Sequence, residues 1–260
     1  MDTILFGSRG ENALLRNYFK SLYQDAINRA YSTAFDHIGS SLTDDSLVLD
    51  CGANIGHTFD LLSRKYPLSS HQYAGIEWNA QSAEEGRNRG LNISVGDLNL
   101  GISSADENYS CIYALSVVEH LLNPCRFLKD CYRVLRPGGQ VVILTPNIST
   151  FFTAALILLG KMPSTGPHPD SDALLKAEEV FKVSADSQQT DAEMDRPSHR
   201  HLVVFSYRVL GQYLRMIGFE NVTGRGFGLY PFPRFTQPTL ERLDPYHCHQ
   251  MVFVATKPLS

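Results

Sequence analysis

The run Val48-Leu49-Asp50-Cys51-Gly52-Ala53-Asn54-Ile55-Gly56 constrains this chain more than any other stretch. Its first residues, with Ser46 and Leu47 ahead of them, read as an apolar strand that ends in a carboxylate. Gly52 and Gly56 then let the backbone turn tightly and approach a ligand closely. Thr58 to Tyr66 follows as a helical run, anchored by Phe59, Leu61 and Leu62 and stopped by Pro67. Strand, glycine turn and helix form the unit with which an α/β sheet holds a ligand at the carboxyl end of its first strand. The spacing is Asp-x-Gly-x-x-x-Gly, with Asn54 where a dinucleotide binder carries its second glycine, so a pyrophosphate is not the expected guest.

Length and composition narrow the rest. With 260 residues, 43% of them hydrophobic, the chain can build one large α/β domain with an insert. A net charge of -4 and the lack of a basic run argue against nucleic-acid binding through phosphate contacts. Five cysteines, an odd number, with no signal peptide and no Cys-x-x-Cys pair, point to a reducing cytoplasm without disulfides or a structural zinc site. The longest apolar run, Phe151 to Leu159, is too short for an integral membrane segment.

In chain order, Arg9 to Ala30 reads as an amphipathic packing helix. His71 to Glu77 is a second strand, and Asn79 caps a helix that Gly90 closes. Ile93-Ser94-Val95 is a third strand, followed by Gly96-Asp97-Leu98. Tyr109 to Leu115 is apolar enough for a central strand buried on both faces. After Ser116-Val117-Val118-Glu119-His120-Leu121, Asn123-Pro124 starts a helix that Pro137-Gly138-Gly139 stops, and Gln140 to Leu144 is a fifth strand ending in Thr145-Pro146-Asn147. The pattern breaks from Ile148 to Ser198. Phe151 to Leu159 is read first as a core helix, and Ala173 to Phe181 as another helix. His201 to Ser206 leads into a helix capped by Ser206 and ended by Gly218, with tail strands at Asn221 to Gly226 and His249 to Ala255.

The turn around Gly52 resembles motif I of class I S-adenosylmethionine (SAM) methyltransferases. The run Ser-Val-Val-Glu-His-Leu, then Arg-Val-Leu-Arg-Pro-Gly-Gly, then Thr-Pro-Asn closely resembles their D-V-x-E-H-L … R-V-L-x-P-G-G … P-N pattern. His201 to Ser206 and Gly218-Phe219 resemble the H-x-x-x-F-[ST] and G-F segments of the type 11/type 23-like subgroup, which carries an insert after strand five. The resemblance implies an α/β, Rossmann-like seven-stranded sheet with helices on both faces in a single domain. Residues 1–43 would be an N-terminal helical cover, 44–147 the SAM-binding core, 148–199 a lid insert over the acceptor, and 200–260 the C-terminal half of the core.

It also implies SAM as cofactor, bound by Asp50, Gly52, Asn54, Gly56, Glu77, Trp78, Asp97, Leu98 and Ser116. Glu77 suits a ribose diol, and Asp97 the adenine amine with Leu98 against the ring. Trp78 either stacks on adenine or covers the core. His120 and His201 are the expected catalytic residues, as bases for an acceptor hydroxyl or as packed, hydrogen-bonded side chains. In related ubiquinone-pathway O-methyltransferases Glu-x-x-Glu-His binds a divalent metal. Ser116 occupies the first of those positions here, so no metal is expected. Nor is one expected at His247-Cys248-His249, whose consecutive side chains alternate faces on a strand.

The expected activity is methyl transfer, as O-methylation, to a small-molecule or glycan acceptor of a polysaccharide or natural-product pathway. The alternatives are an inactive SAM-binding scaffold and a nicotinamide-dependent oxidoreductase. The glycine spacing and the lack of a Tyr-x-x-x-Lys pair disfavour the oxidoreductase.

Overall fold

A computed structural model describes residues 9–163, 165–169, 171 and 200–259. The described strands form one seven-stranded sheet in the order β3-β2-β1-β4-β5-β7-β6. They are β1 (Val48–Cys51), β2 (Tyr73–Glu77), β3 (Ile93–Val95), β4 (Tyr109–Leu115), β5 (Leu135–Pro146), β6 (Glu220–Phe227) and β7 (Gln250–Thr256). The pairings β1–β2, β2–β3, β1–β4 and β4–β5 are parallel, whereas β7 runs antiparallel to both β5 and β6. The seven-stranded Rossmann-like expectation holds. Because β4 returns to the other side of β1, the strand order reverses between them. The carboxyl ends at such a reversal are where open α/β sheets bind ligands.

Burial alternates with the pleat. Ile112 and Ala114 of β4, Val141 and Ile143 of β5, and Met251, Phe253 and Ala255 of β7 pack on one face. There they meet α4 (Pro124–Val134) through Phe127, Leu128, Cys131 and Val134, and α6 (Tyr207–Ile217) through Leu210 and Leu214. Cys111, Tyr113, Val142, Leu144, Val252 and Val254 pack on the other face. This second core also takes in α1 (Arg9–Ser40), Leu62 of α2 (His57–Lys65) and Ala83 of α3 (Ala80–Asn88). Two short helices, α5 (Phe151–Leu158) and α7 (Gln237–Leu243), complete the described α-helices.

Two boundaries and one burial differ from the sequence reading. Helix α1 continues past Ala30 to Ser40 because Leu22, Ala26, Ala30, Ala34 and Ile38 form one buried stripe, one residue per turn. That stripe lies against β5, β6 and β7. Strand β5 begins at Leu135, directly after α4, pairs with Tyr109, and resumes its ladder at Gln140 after an irregularity. Helix α5 forms where a core helix was expected, with Thr150 accepting from the Thr153 amide at its start. Its apolar side chains nevertheless face outward among the described residues: Ile157 is 56% exposed and Leu158 87%. The helix expected at 173–181 and the polar stretch to Ser198 lie outside the described residues.

Candidate active site

The glycine turn after β1 is built by backbone conformation and one carboxylate. Gly52 and Gly56 have φ of 82° and 91°, and Asn54 also takes a left-handed φ of 49°. The amides of Gly52 and Ala53 both donate to the Ile76 carbonyl of β2, at 2.9 and 3.1 Å. Glu77, at the end of β2, then accepts from the Asn54 amide at 2.8 Å with one oxygen and from the Asn79 amide at 2.9 Å with the other. The carboxylate thus clasps the turns after β1 and β2 together. Two backbone donors leave further acceptor sites on its oxygens.

Asp50 behaves differently from an exposed strand-end acceptor. Its side chain is buried, and Oδ2 accepts from the Tyr73 hydroxyl at 2.9 Å. Burial pushes its carboxyl up to about 7, against the pull of the Tyr73 and Tyr113 hydroxyls, and the nearby Glu77 charge pushes the same way. A raised carboxyl favours folding while it is protonated, and that contribution is lost as pH rises towards 7. The loss begins at about pH 4, the unfolded value, so the stability of Asp50→Asn relative to its parent should rise between pH 5 and pH 8. At ~1.4 kcal/mol per pH unit between 5 and 7, the change in their difference is ~2–3 kcal/mol. Urea unfolding at both pH values measures it, and an Asp50→Asn protein that is weaker than the parent by the same amount at each would remove the buried-charge account.

The neighbouring strand ends carry the other expected cofactor residues. The Gly96 amide donates to the Glu77 carbonyl at 2.9 Å, which draws the turn after β3 alongside β2. Asp97 is exposed, with Oδ1 accepting from the Asn99 amide at 2.9 Å, while Leu98 is buried in the core. Asn99 Oδ1 accepts in turn from the amides of Leu122 and Asn123, at 2.7 and 3.1 Å, joining the turns after β3 and β4. Trp78 is 56% exposed, so its ring does not cover the core. Ser116 follows β4 in a left-handed conformation, φ 57°, and its hydroxyl lies 3.3 Å from that of Tyr31 on α1. The N-terminal helix therefore reaches the ligand edge of the sheet as well as packing on its face.

Beyond β4 the chain assembles a histidine centre. Segment 201–205 is pinned beside Glu119, whose carbonyl accepts from the amides of Leu202 and Val203 at 2.7 and 3.3 Å. This brings the His120 and His201 rings edge to face, with centroids 5.1 Å apart. His120 Nδ1 pairs with the Arg200 carbonyl at 2.9 Å, and His201 Nδ1 with the Thr165 carbonyl at 2.6 Å. Carbonyls only accept, so each Nδ1 carries the hydrogen and each Nε2 is left as an acceptor. Burial lowers both imidazoles below their ordinary range, His201 to about 3 with help from the neighbouring histidines. Glu119 is buried below them, and one oxygen accepts from the Thr145 hydroxyl at 2.9 Å.

The structure thus gathers Gly52, Asn54, Gly56 and Glu77 into one clasp, with Trp78, Asp97, Leu98 and Ser116 on the adjoining strand ends, whereas Asp50 is buried behind the turn and bonded to Tyr73 instead of being presented as an acceptor. His120 and His201 form a second group in direct ring contact. Three contributors were not among the expected site residues. Glu119 was visible only as the neighbour of His120 in the Glu-His pair. His168, whose ring lies 5.1 Å from that of His201 and whose Nδ1 accepts from the His201 amide at 3.1 Å, carried no sequence signal. Asn147 was visible as the last residue of Thr-Pro-Asn. It is fully buried, and its amide group donates to the carbonyls of Tyr246 and Cys248 and accepts from the amides of Ser149 and Tyr207. His247, Cys248 and His249 lie ahead of β7 and not on a strand as expected: His247 pairs with Asp244 and stacks on Phe151, Cys248 donates to the Asp244 carbonyl, and His249 packs against Tyr23 and Tyr230.

Residues 18–223 match a family model described as a methyltransferase domain. A "Probable S-adenosylmethionine-dependent methyltransferase" of Mycolicibacterium smegmatis is 29% identical over 105 residues, covering 40% of this chain and 39% of the relative. The mouse "Probable tRNA methyltransferase 9B" is 30% identical over 139 residues, covering 50% of this chain and 30% of the relative. The matched stretches span about two-fifths or less of these relatives' own length. A SAM-dependent methyltransferase structure from Archaeoglobus fulgidus superposes with a TM-score of 0.55 at 15% identity, covering 89% of this chain and 94% of that one, a likeness of fold.

Proposed function

This chain belongs to the methyltransferase-domain family, and from that premise we propose that it transfers a methyl group from SAM to a small-molecule or glycan hydroxyl. The observation that supports this reading best is the pairing of two unlike centres on one sheet edge. One is an acceptor-rich clasp closed by Glu77. The other is a pair of imidazoles, each with a hydrogen-free Nε2.

The chemistry of the clasp suits SAM, which offers a ribose diol, an adenine amine and cationic groups. Glu77 would take the diol, Asp97 the amine, and the exposed face of Trp78 the adenine ring, with Gly52, Asn54 and Gly56 shaping the turn beneath and Ser116 closing the far side. SAM supplies a methyl group already activated by its sulfonium charge. The chain's own task is then to align the acceptor oxygen in line with the methyl–sulfur bond. His201 and His120 would accept the hydroxyl's hydrogen bond and take its proton only as the new carbon–oxygen bond makes that proton strongly acidic, which lets an imidazole lowered to about 3 serve. The negative net charge supports a small acceptor over tRNA. Unpaired cysteines agree with the expected cytoplasmic setting. Among the described residues no helix is long and apolar enough to cross a membrane.

Calorimetric titration tests the cofactor: SAM and S-adenosylhomocysteine should bind and NAD should not. Glu77→Ala should weaken SAM roughly ten- to a hundred-fold, because a charge-assisted hydrogen bond contributes ~1.5–3 kcal/mol. Glu77→Gln separates ligand contact from loop support, since its amide retains one acceptor for the turns. A Glu77→Ala protein that is folded and binds SAM like the parent would remove the ribose assignment. Methyl transfer from labelled SAM to a panel of hydroxylated small molecules, oligosaccharides and tRNA identifies the acceptor. Label appearing only in tRNA would overturn the small-acceptor reading.

A further inference from the structure

We propose that Glu119, His120 and His201 form a binding site for one divalent transition-metal ion, with zinc as the natural probe. One donor atom from each residue can be chosen so that all three lie within 4.8 Å of one another. A tetrahedral zinc ion with bonds of ~2.0–2.2 Å spaces its donors by roughly 3.3–3.6 Å. Binding would have to draw the donors together by roughly 1 Å, through the Glu119 side chain and the two rings.

The surroundings prepare these three groups as ligands. Each imidazole is oriented through Nδ1 by a backbone carbonyl, Arg200 for His120 and Thr165 for His201. This is the outer hydrogen bond that holds a metal-binding histidine with Nε2 forward. The Thr145 hydroxyl orients one Glu119 oxygen at 2.9 Å. His201 is held in turn by its backbone, whose amide and carbonyl both bond His168. Glu119 is almost wholly buried, and among the described residues no lysine or arginine forms an ion pair with it. A divalent cation between it and the two rings would hold the buried carboxyl in its charged form. The rings are only half-buried, which leaves the ion a route in.

Two histidines and one carboxylate are a donor set used by catalytic zinc, and three protein ligands leave a fourth position open. The site does not use Ser116, and its third ligand comes from the segment that returns to the sheet long after β4. Binding of the ion stands independently of methyl transfer. Only its use rests on that reading: an acceptor hydroxyl in the open position would lose its proton more readily under the ion's charge. Ligation and proton acceptance are alternative uses of the same two nitrogens, and metal content decides between them.

The test uses the full chain, stripped with chelator and titrated with Zn2+ against a chromogenic competitor. One equivalent of zinc should bind the parent. His120→Gln, His201→Gln and Glu119→Gln should each weaken it by at least a hundred-fold. Thr145→Val, which removes only the hydroxyl that orients Glu119, should weaken it ~10–100-fold. His247→Gln should bind as the parent does. SAM titration of every variant checks that it is folded, and if Glu119→Gln fails that check the two histidine variants decide. Co2+ bound here should show visible d–d bands without the near-ultraviolet thiolate transition that Cys248 would add. No stoichiometric zinc in the parent, or equal affinity in the parent and the three ligand variants, overturns the proposal and leaves the methyl-transfer reading intact. Zinc bound as described in a protein that transfers no methyl group would sink that reading alone.

Discussion

Replacing Gly52 with valine is expected to abolish detectable SAM binding and lower the melting temperature. At φ 82° a side chain with a Cβ is strained, and a Cβ built there would stand 2.7 Å from Val117 Cγ2. The left-handed conformation costs ~1–2 kcal/mol, and overpacking a closed site adds ~1–3. Together they correspond to roughly 5–15 °C in a chain of this size. The turn they distort is the one whose Gly52 and Ala53 amides are bonded to β2 and whose Asn54 amide is held by Glu77. Gly56→Val should behave alike, since its Cβ would run into Leu91 Cδ1 at φ 91°. Gly52→Ala combined with Val117→Ala separates the two causes, because relieving the side-chain contact should recover part of the melting temperature and leave the backbone cost. A Gly52→Val protein with parental melting and parental SAM affinity would end the account of this turn.

His201→Ala and His120→Ala carry the second large effect. At saturating SAM each should lower methyl transfer by ~10²–10⁴ while SAM still binds, as removal of a proton-accepting group does. The greater loss is expected from His201. Its ring contacts both His120 and His168, and its Nδ1 hydrogen bond is the shorter of the two, 2.6 Å against 2.9 Å. Single-turnover rates with acceptor and labelled SAM measure this. Metal content measured on the same samples distinguishes lost proton acceptance from lost ligation. If both variants turn over at the parental rate, alignment of the acceptor alone carries the reaction.

The sequence by itself determined the sheet and one half of the site. Apolar runs marked the inner strands such as β4, β5 and β7, because a strand buried on one or both faces must write that burial into consecutive residues. Strand β6, largely exposed until Gly226, carries no such run, and the count of seven came from the family resemblance. The glycines of the first turn were legible for a similar reason: a left-handed backbone with a neighbour packed against Cα admits little else. Glu77 could be placed because its partner turn lies only one strand–helix unit away. The extent of α1 was less legible. Its inner face is a run of single alanines, which carries little hydropathy contrast until the sheet beneath is known.

What only the tertiary structure decided is which distant residues meet. Asp50 looked like a free strand-end acceptor, but Tyr73 on the neighbouring strand claims its carboxyl and the core raises its pKa. The apolar character of α5 suggested burial. Hydrophobicity states what a side chain would lose by exposure, not whether a partner lies above it, and α5 keeps its apolar side outward among the described residues. Sequence spacing around Ser116 argued against a metal, because the ligand expected there was missing. Two backbone hydrogen bonds from Leu202 and Val203 to the Glu119 carbonyl set His201 beside His120, although the two histidines lie far apart in the chain. No local pattern encodes that meeting, because loop closure over such a distance is fixed by the packing of the whole sheet.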